Sequence, residues 1–194
     1  MQPPAEHVHW LFATGFLSLG LCLLGEAVVG TGVWRMRAWR AYLWPGIAVG
    51  LGVFLGPVMV FFTNSTLHML AHGAWAEVLM FAGAVELALV RGKLQSRWWG
   101  LAMAAAFVVS GAAFLVHEQN AWLFQRSAFL HHLLGWTLLV AAVFPLARCV
   151  RPRSHAAAAG FALTFVVVAV FLFCDRDVAP VFGHISPLAG TPRR

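Results

Sequence analysis

The stretch from Ala156 to Cys174 reads AAAAGFALTFVVVAVFLFC and contains no charged residue. A helix needs about 20 mostly apolar residues to cross the hydrocarbon core of a bilayer, and this stretch is close to that length. Lipid cannot satisfy the hydrogen bonds of an open backbone, so a segment of this kind must be helical. We therefore predict that it spans a membrane as an α-helix.

Five more runs of the same kind precede this stretch. Together the predicted spans cover 8–33, 42–62, 66–90, 98–117, 128–148 and 156–174. The chain is 61% hydrophobic and only 10% charged, whereas soluble proteins carry roughly 25% charged residues. We therefore predict an all-α integral membrane protein whose residues 1–194 form a single bundle of six transmembrane helices, with an irregular tail over 175–194.

Basic residues are concentrated in three of the predicted loops. Nine of the 13 cationic residues lie there: Arg35, Arg37 and Arg40; Arg91, Lys93 and Arg97; and Arg148, Arg151 and Arg153. These loops alternate along the chain, so they share one side, which the positive-inside rule marks as cytoplasmic. Both termini are then extracytoplasmic, and we expect the protein in a bacterial plasma (inner) membrane. The net charge of +6 comes mainly from these loop clusters, which indicate topology and do not form a surface for nucleic acid. We therefore expect the lipid bilayer as a partner and no nucleic acid.

Histidines are distributed unevenly between the two sides. With this topology eight of the nine histidines are extracytoplasmic, and only His155 faces the cytoplasm. His68 and His72 are four residues apart, so they lie on one helix face. Antiparallel neighbours bring the end of the fourth span beside the starts of the third and fifth. We therefore expect an extracytoplasmic cluster of His68, His72, His117 and His131 or His132, with Glu118 adjacent to it.

The predicted cluster has the chemistry of a metal site. Imidazole is a common ligand of zinc, copper and haem iron, and three or four convergent imidazoles form a zinc or copper site. Our first hypothesis is a transition-metal site used for metal handling or for assembly of a metalloenzyme. Its ligands are predicted to be His68, His72, His117 and His131, with His132 as an alternative to His131, and Glu118 is either a further ligand or a partner that orients an imidazole. The outlying His7, His9 and His184 are interpreted as ordinary interfacial side chains.

A b-type haem protein is the first alternative. Its iron would be held by His72 together with His131 or His132. The second predicted span contains Gly46, Gly50, Gly52 and Gly56. Glycines at this spacing are typical of close helix packing, but in the haem alternative Gly50 or Gly52 would make room for the flat ligand.

Two further alternatives do not involve haem. In one, the chain is a metal-dependent membrane hydrolase in which the metal polarises water and Glu118 acts as the base. In the other, the chain is an accessory subunit that contacts other membrane subunits and binds no cofactor. The sequence leaves open whether the protein is an enzyme.

Glu26, Glu77 and Glu86 lie inside the predicted spans, where an ionisable residue is costly and is a functional candidate by default. Glu77 falls near the middle of the bilayer. Glu86 lies about 21 Å deeper than the histidines of its span, at 1.5 Å per residue, so it cannot bind the same ion. We expect Glu86 to pair with Arg35 or Arg91, and Glu26 to have a similar structural role.

Three short motifs resemble the transmembrane protein 45 family and its bacterial relatives. They are HMLAH at 68–72 with Glu86 further along the span, SGAAFLVH at 110–117, and HHLL at 131–134. The family has Glu-Gly-x-Leu-Phe-x-x-His followed by a short loop and His-x-Leu-Leu, and Ser110 replaces its Glu here. The resemblance covers about 65 of the 194 residues and implies a multi-pass fold with a histidine cluster, without implying an activity.

Overall fold

Helices form the regular structure of the described part of the chain. The computed structural model describes residues 5–62, 66–116 and 125–176, and side chains over 6–57, 73–116 and 128–176. The helices are α1 (Ala5–Val29), α2 (Thr31–Trp34), α3 (Leu43–Phe62), α4 (Thr66–Val90), α5 (Leu101–Val116), α6 (Gln125–Ala141), α7 (Val143–Val150) and α8 (His155–Phe173). Two short 3-10 helices, η1 (Ala38–Tyr42) and η2 (Arg97–Gly100), precede α3 and α5.

Six helical segments of the described residues are long and apolar enough to cross a membrane. They are Glu6–Val29, Ala38–Pro57, Gly73–Val90, Arg97–Val116, Ala128–Val150 and His155–Phe173. Each corresponds to one of the six predicted spans, so the prediction of an all-helical fold with six such helices is confirmed. These segments support a multi-pass membrane protein.

The spanning helices are arranged as a ring that closes between the first and the last. Along the ring α1 packs on α3, α3 on α4, α4 on α5, α5 on α6, and α6 on α8, while α8 returns to α1. Gly20 allows the closing contact, because an added Cβ there would lie only 3.1 Å from the backbone nitrogen of Val166. Buried side chains such as Leu19, Phe161 and Phe165 fill the interior.

The second span confirms the prediction of close packing at one of its glycines. A Cβ added at Gly52 would lie 2.6 Å from the carbonyl oxygen of Ala76, so α4 already occupies this position. Gly46 and Gly50 are exposed, with nothing within 4 Å of an added Cβ. Gly52 therefore makes room for a helix, and Gly50 lies on the outer surface of the bundle.

The fifth span differs from the prediction of one continuous helix over 128–148. α6 ends at Ala141, and α7 begins at Val143. The interruption lies one turn before Pro145, which has no N–H to donate to the carbonyl of Ala141. The next residue, Leu146, donates to the carbonyl of Ala142 over 3.4 Å. Proline is thus the physical reason for the break.

Candidate functional site

Two histidine rings meet at one end of the bundle, where α1 begins and α8 ends. The ring centroids of His9 on α1 and His131 on α6 are 6.0 Å apart. His131 is 5% exposed, and its ring centroid also lies 5.4 Å from that of Phe114 on α5. We call this end, defined by His9, His131 and Asp175, the histidine end.

Asp175 follows α8 directly and connects the last span to the histidine pair. Its Oδ2 is hydrogen-bonded to Nδ1 of His9, and its side chain is buried. Its backbone carbonyl accepts hydrogen bonds from Nε1 of Trp10 at 3.2 Å and from Nη1 of Arg176 at 2.9 Å. Because α1 and α8 are antiparallel neighbours, the start of one and the end of the other are brought to the same depth.

The adjacent residues His131 and His132 have different surroundings. His132 is exposed, and its Nδ1 lies 2.9 Å from the carbonyl oxygen of Ala128 on the same helix. Successive helical residues point about 100° apart, so His131 faces the interior while His132 faces outward. The structure therefore distinguishes two residues that the sequence leaves as equivalent alternatives.

The other predicted ligands fall outside the described side chains. His68 and His72 belong to α4, but only its backbone is described there, and His117 and Glu118 lie outside the described residues. Among the residues that are described, no group of three or more His, Cys, Asp or Glu side chains is arranged to hold a metal ion. The predicted ligand set therefore stays a prediction, and the structure describes the surroundings of His131 alone among its members.

His9 and Asp175 belong to the candidate site but not to the predicted set. The sequence assigns His9 to the ordinary interfacial histidines, because nothing local to it indicates a partner. The hydrogen bond joins residues 166 positions apart, so it depends on which helices are neighbours. One signal was available in the sequence: Asp175 directly follows an apolar span on the side predicted to carry most histidines.

An apolar cavity of about 110 Å³ lies inside the ring of helices and is lined at the histidine end by His9. Its walls include Phe12, Trp75 and Phe107, and Ser110 contributes a hydroxyl. The volume is comparable to that of a cavity that holds one small aromatic ring, roughly 150 Å³.

Arg35 bridges two carboxylates of the candidate spans at the opposite end of the bundle. Its Nε lies 3.1 Å from Oε1 of Glu26, and its Nη2 lies 3.7 Å from Oε1 of Glu86. Gly30, with a φ of 89°, reverses the chain after α1 so that Arg35 returns to Glu26. The predicted pairing of Glu86 with Arg35 is confirmed, and Glu26 shares the same arginine. Glu77 is exposed on α4.

Protein-family models, curated proteins and solved structures provide no match to this chain. The resemblance to the transmembrane protein 45 family, carried by the motifs at 68–72, 110–117 and 131–134, therefore stays a prediction. The candidate site is defined by the arrangement of His9, His131 and Asp175.

Proposed function

We propose that the chain binds a copper or zinc ion at the histidine end and serves in metal handling or in assembly of a metalloenzyme. The observation that supports this proposal is the buried ring of His131 beside His9, with the buried carboxylate of Asp175 bonded to His9. Ionisable side chains inside a membrane bundle are costly and mark functional sites by default. In many metal sites the ligand histidines are oriented by a hydrogen bond to a carboxylate.

The separation of the two rings suits a shared ion. A metal lies about 2.0–2.1 Å from an imidazole nitrogen, so two rings bound to one ion have centroids about 5 to 6.5 Å apart. The observed 6.0 Å between His9 and His131 falls within this range. The present spacing of α1 and α6 is therefore compatible with one ion between the two rings.

Asp175 would act as a positioning residue. Metal-binding histidines usually donate their second ring N–H to a carboxylate or a carbonyl, which fixes the tautomer and the ring orientation. Because Nδ1 of His9 is engaged by Asp175, Nε2 is the nitrogen that would bind the ion. Asp175 thereby prepares His9 without being a ligand itself.

Two imidazoles are too few for a complete zinc site, which usually has four ligands. We propose that the start of α4 and the residues that follow α5 in the chain supply the others, because α4 packs on α5 and α5 packs on α6. The candidates are His68, His72, His117 and Glu118. The spacing of His68 and His72, one helical turn apart, suits two ligands of one ion.

We further propose that the histidine end is extracytoplasmic and that the protein lies in a bacterial plasma (inner) membrane. Arg35, Arg97 and Arg148 lie at the opposite end, around the carboxylate of Glu86. We call this end, defined by these three arginines, the basic end. An excess of Lys and Arg is typical of cytoplasmic loops, and this supports the orientation.

The test compares two neighbouring histidines that differ in burial. The full chain and its His131→Ala and His132→Ala variants are purified from cells grown with added copper and zinc, and bound metal is measured by elemental analysis. We expect stoichiometric metal in the wild type and in His132→Ala, because His132 is exposed and bonded to its own helix. We expect loss of the metal in His131→Ala.

Two results would contradict the proposal: a wild-type protein without metal, or a His131→Ala variant with its full complement. Asp175→Asn is expected to weaken metal binding by about 10- to 100-fold. A visible absorption band that shifts on reduction would favour the haem alternative instead. Elution of each variant as a single species from size-exclusion chromatography controls for folding.

A further inference from the structure

A polar cavity of about 190 Å³ lies at the basic end, between α4, η2, α7 and the start of α8. Arg97, the first residue of η2, and Arg148 of α7 both line it. A single water needs only about 10–15 Å³ of such space, so a polar group of several heavy atoms fits. The cavity is far from the histidine end and takes no part in the proposed metal site.

The two arginines of this cavity lie against aromatic rings. The guanidinium carbon of Arg148 lies 5.0 Å from the ring centroid of Phe161, and that of Arg97 lies 5.4 Å from the ring of Trp98. Neither arginine forms an ion pair with a carboxylate of the described residues. Glu86 also lines the cavity, and its carboxylate interacts with the charges of both Arg148 and Arg35. Because Glu26 also pairs with Arg35, three arginines meet two carboxylates here, and a net positive charge remains.

The side chain of Cys149 connects the two sides of the cavity. The thiol of Cys149, which follows Arg148, donates to the carbonyl oxygen of Arg97 over 3.4 Å. A Cβ added at Gly100 would lie 2.9 Å from the same sulfur. These contacts hold η2 against α7, so the cavity and its positive charge are a built feature of the fold.

The cavity lies at the depth where the spanning helices end. Arg97 begins one candidate span, and Val150 ends another. Trp98 and Trp99 beside it are 50% and 44% exposed, as aromatic side chains at the level of lipid headgroups usually are. Pro152 also lines a second, shallow cavity, whose other lining residues are Arg151, Arg153 and Ser154.

We propose that this cavity binds the phosphate group of an anionic phospholipid, and that Arg97 and Arg148 bind its oxygens. Guanidinium groups form strong, charge-assisted and often bidentate hydrogen bonds with phosphate. Basic pockets between transmembrane helices are suited to anionic headgroups. Free phosphate has the same chemistry, but the depth of the cavity and the exposed tryptophans favour a lipid.

The test titrates the purified full chain, in a neutral detergent, with phosphatidylglycerol, phosphatidylcholine or inorganic phosphate, and measures bound ligand by native mass spectrometry. The cavity variant is Arg97→Gln/Arg148→Gln. The matched control is Arg37→Gln/Lys93→Gln, which removes the same charge from exposed positions of neighbouring loops. We expect phosphatidylglycerol to bind the wild type and the control alike, and to bind the cavity variant at least about tenfold more weakly.

Four results would overturn the proposal. The cavity variant could bind phosphatidylglycerol as the wild type does, or the control could lose as much binding as the cavity variant. Phosphatidylcholine could bind as well as phosphatidylglycerol, or inorganic phosphate could displace the lipid at a similar concentration, which would indicate a site for free phosphate. If the cavity variant is not a single species in solution, the same titration is carried out with the single variant Arg97→Gln. Arg97 is exposed, so we expect its replacement to leave the protein folded.

Discussion

At the scale of single residues, we expect the stability of the basic end to depend most on the side chain of Arg35. It binds Glu26, which is 5% exposed, and also Glu86. Removing one partner of a buried ion pair costs about 3–5 kcal/mol because a buried charge is left without compensation. Arg35 itself is partly exposed, so we expect Arg35→Gln to destabilise the fold by a smaller amount, about 1–3 kcal/mol.

The measurement for Arg35→Gln is the thermal unfolding midpoint in detergent. Lys93→Gln is the control, because Lys93 is an exposed cation in a loop at the same end. Adding Glu26→Gln to Arg35→Gln should recover part of the loss, since the uncompensated carboxylate is then gone. Equal midpoints for Arg35→Gln and Lys93→Gln would show that the ion pairs contribute little.

Single residues also show which contacts can be predicted from the sequence and which cannot. The pairing of Glu86 with Arg35 is predictable, because a chain that crosses a membrane at each predicted span brings the arginine-bearing loop and the end of the third span to the same side. The hydrogen bond of His9 with Asp175 is not predictable, because the sequence does not determine which helices are neighbours in the bundle. Burial separates His131 from His132, and hydropathy does not report which face of an apolar helix points inward.

At the scale of elements, the packing of α3 against α4 is set by Gly52. Replacing a helical glycine with alanine normally stabilises a helix by roughly 0.5–1 kcal/mol. At Gly52 the added Cβ would lie 2.6 Å from the carbonyl oxygen of Ala76, which belongs to the backbone of α4 and cannot rotate away. We therefore expect Gly52→Ala to destabilise the bundle by about 1–3 kcal/mol.

The matched control for Gly52→Ala is Gly50→Ala on the same helix. Gly50 is exposed and has nothing within 4 Å of an added Cβ, so we expect its replacement to leave the unfolding midpoint unchanged or slightly higher. Thermal unfolding of both variants in one detergent is the measurement. A Gly52→Ala variant as stable as Gly50→Ala would mean that α3 and α4 are less closely packed than the structure indicates.

Elements are also where prediction from the sequence succeeds most fully. The apolar runs predict the number of spanning helices, because each has the length of about 20 residues that a helix needs to cross a bilayer, whereas a spanning strand needs about 10. The break before Pro145 is not recovered by hydropathy, because a single proline changes the mean hydropathy of a run of about 20 residues very little. Pro145 removes the hydrogen bond to the carbonyl of Ala141, and this local effect does not change the mean hydropathy of the span.

At the scale of the whole molecule, the contact of α1 with α8 decides the composition of the candidate site. Hydropathy predicts six helices but not their order around a bundle, so the closure of the ring is visible only in the structure. This closure brings Asp175 to His9 and, through the packing of α6 on α8, places His131 nearby. The sequence thus predicts that histidines form the site, whereas which histidines and carboxylates come together depends on the order of the helices around the bundle.

The orientation of the whole molecule yields a further prediction. An even number of spans places both termini on one side of the membrane. Nine of the 13 cationic residues lie in the loops at the basic end, so we expect this end to remain in the cytoplasm. We expect alkaline phosphatase, which is active only after export, to be active when fused after Arg194 and inactive when inserted after Lys93. Green fluorescent protein, which fluoresces in the cytoplasm, should give the opposite pattern. Active phosphatase after Lys93 would invert the proposed orientation and would move the histidine end to the cytoplasmic side, where the metal ion would have to be supplied from within the cell.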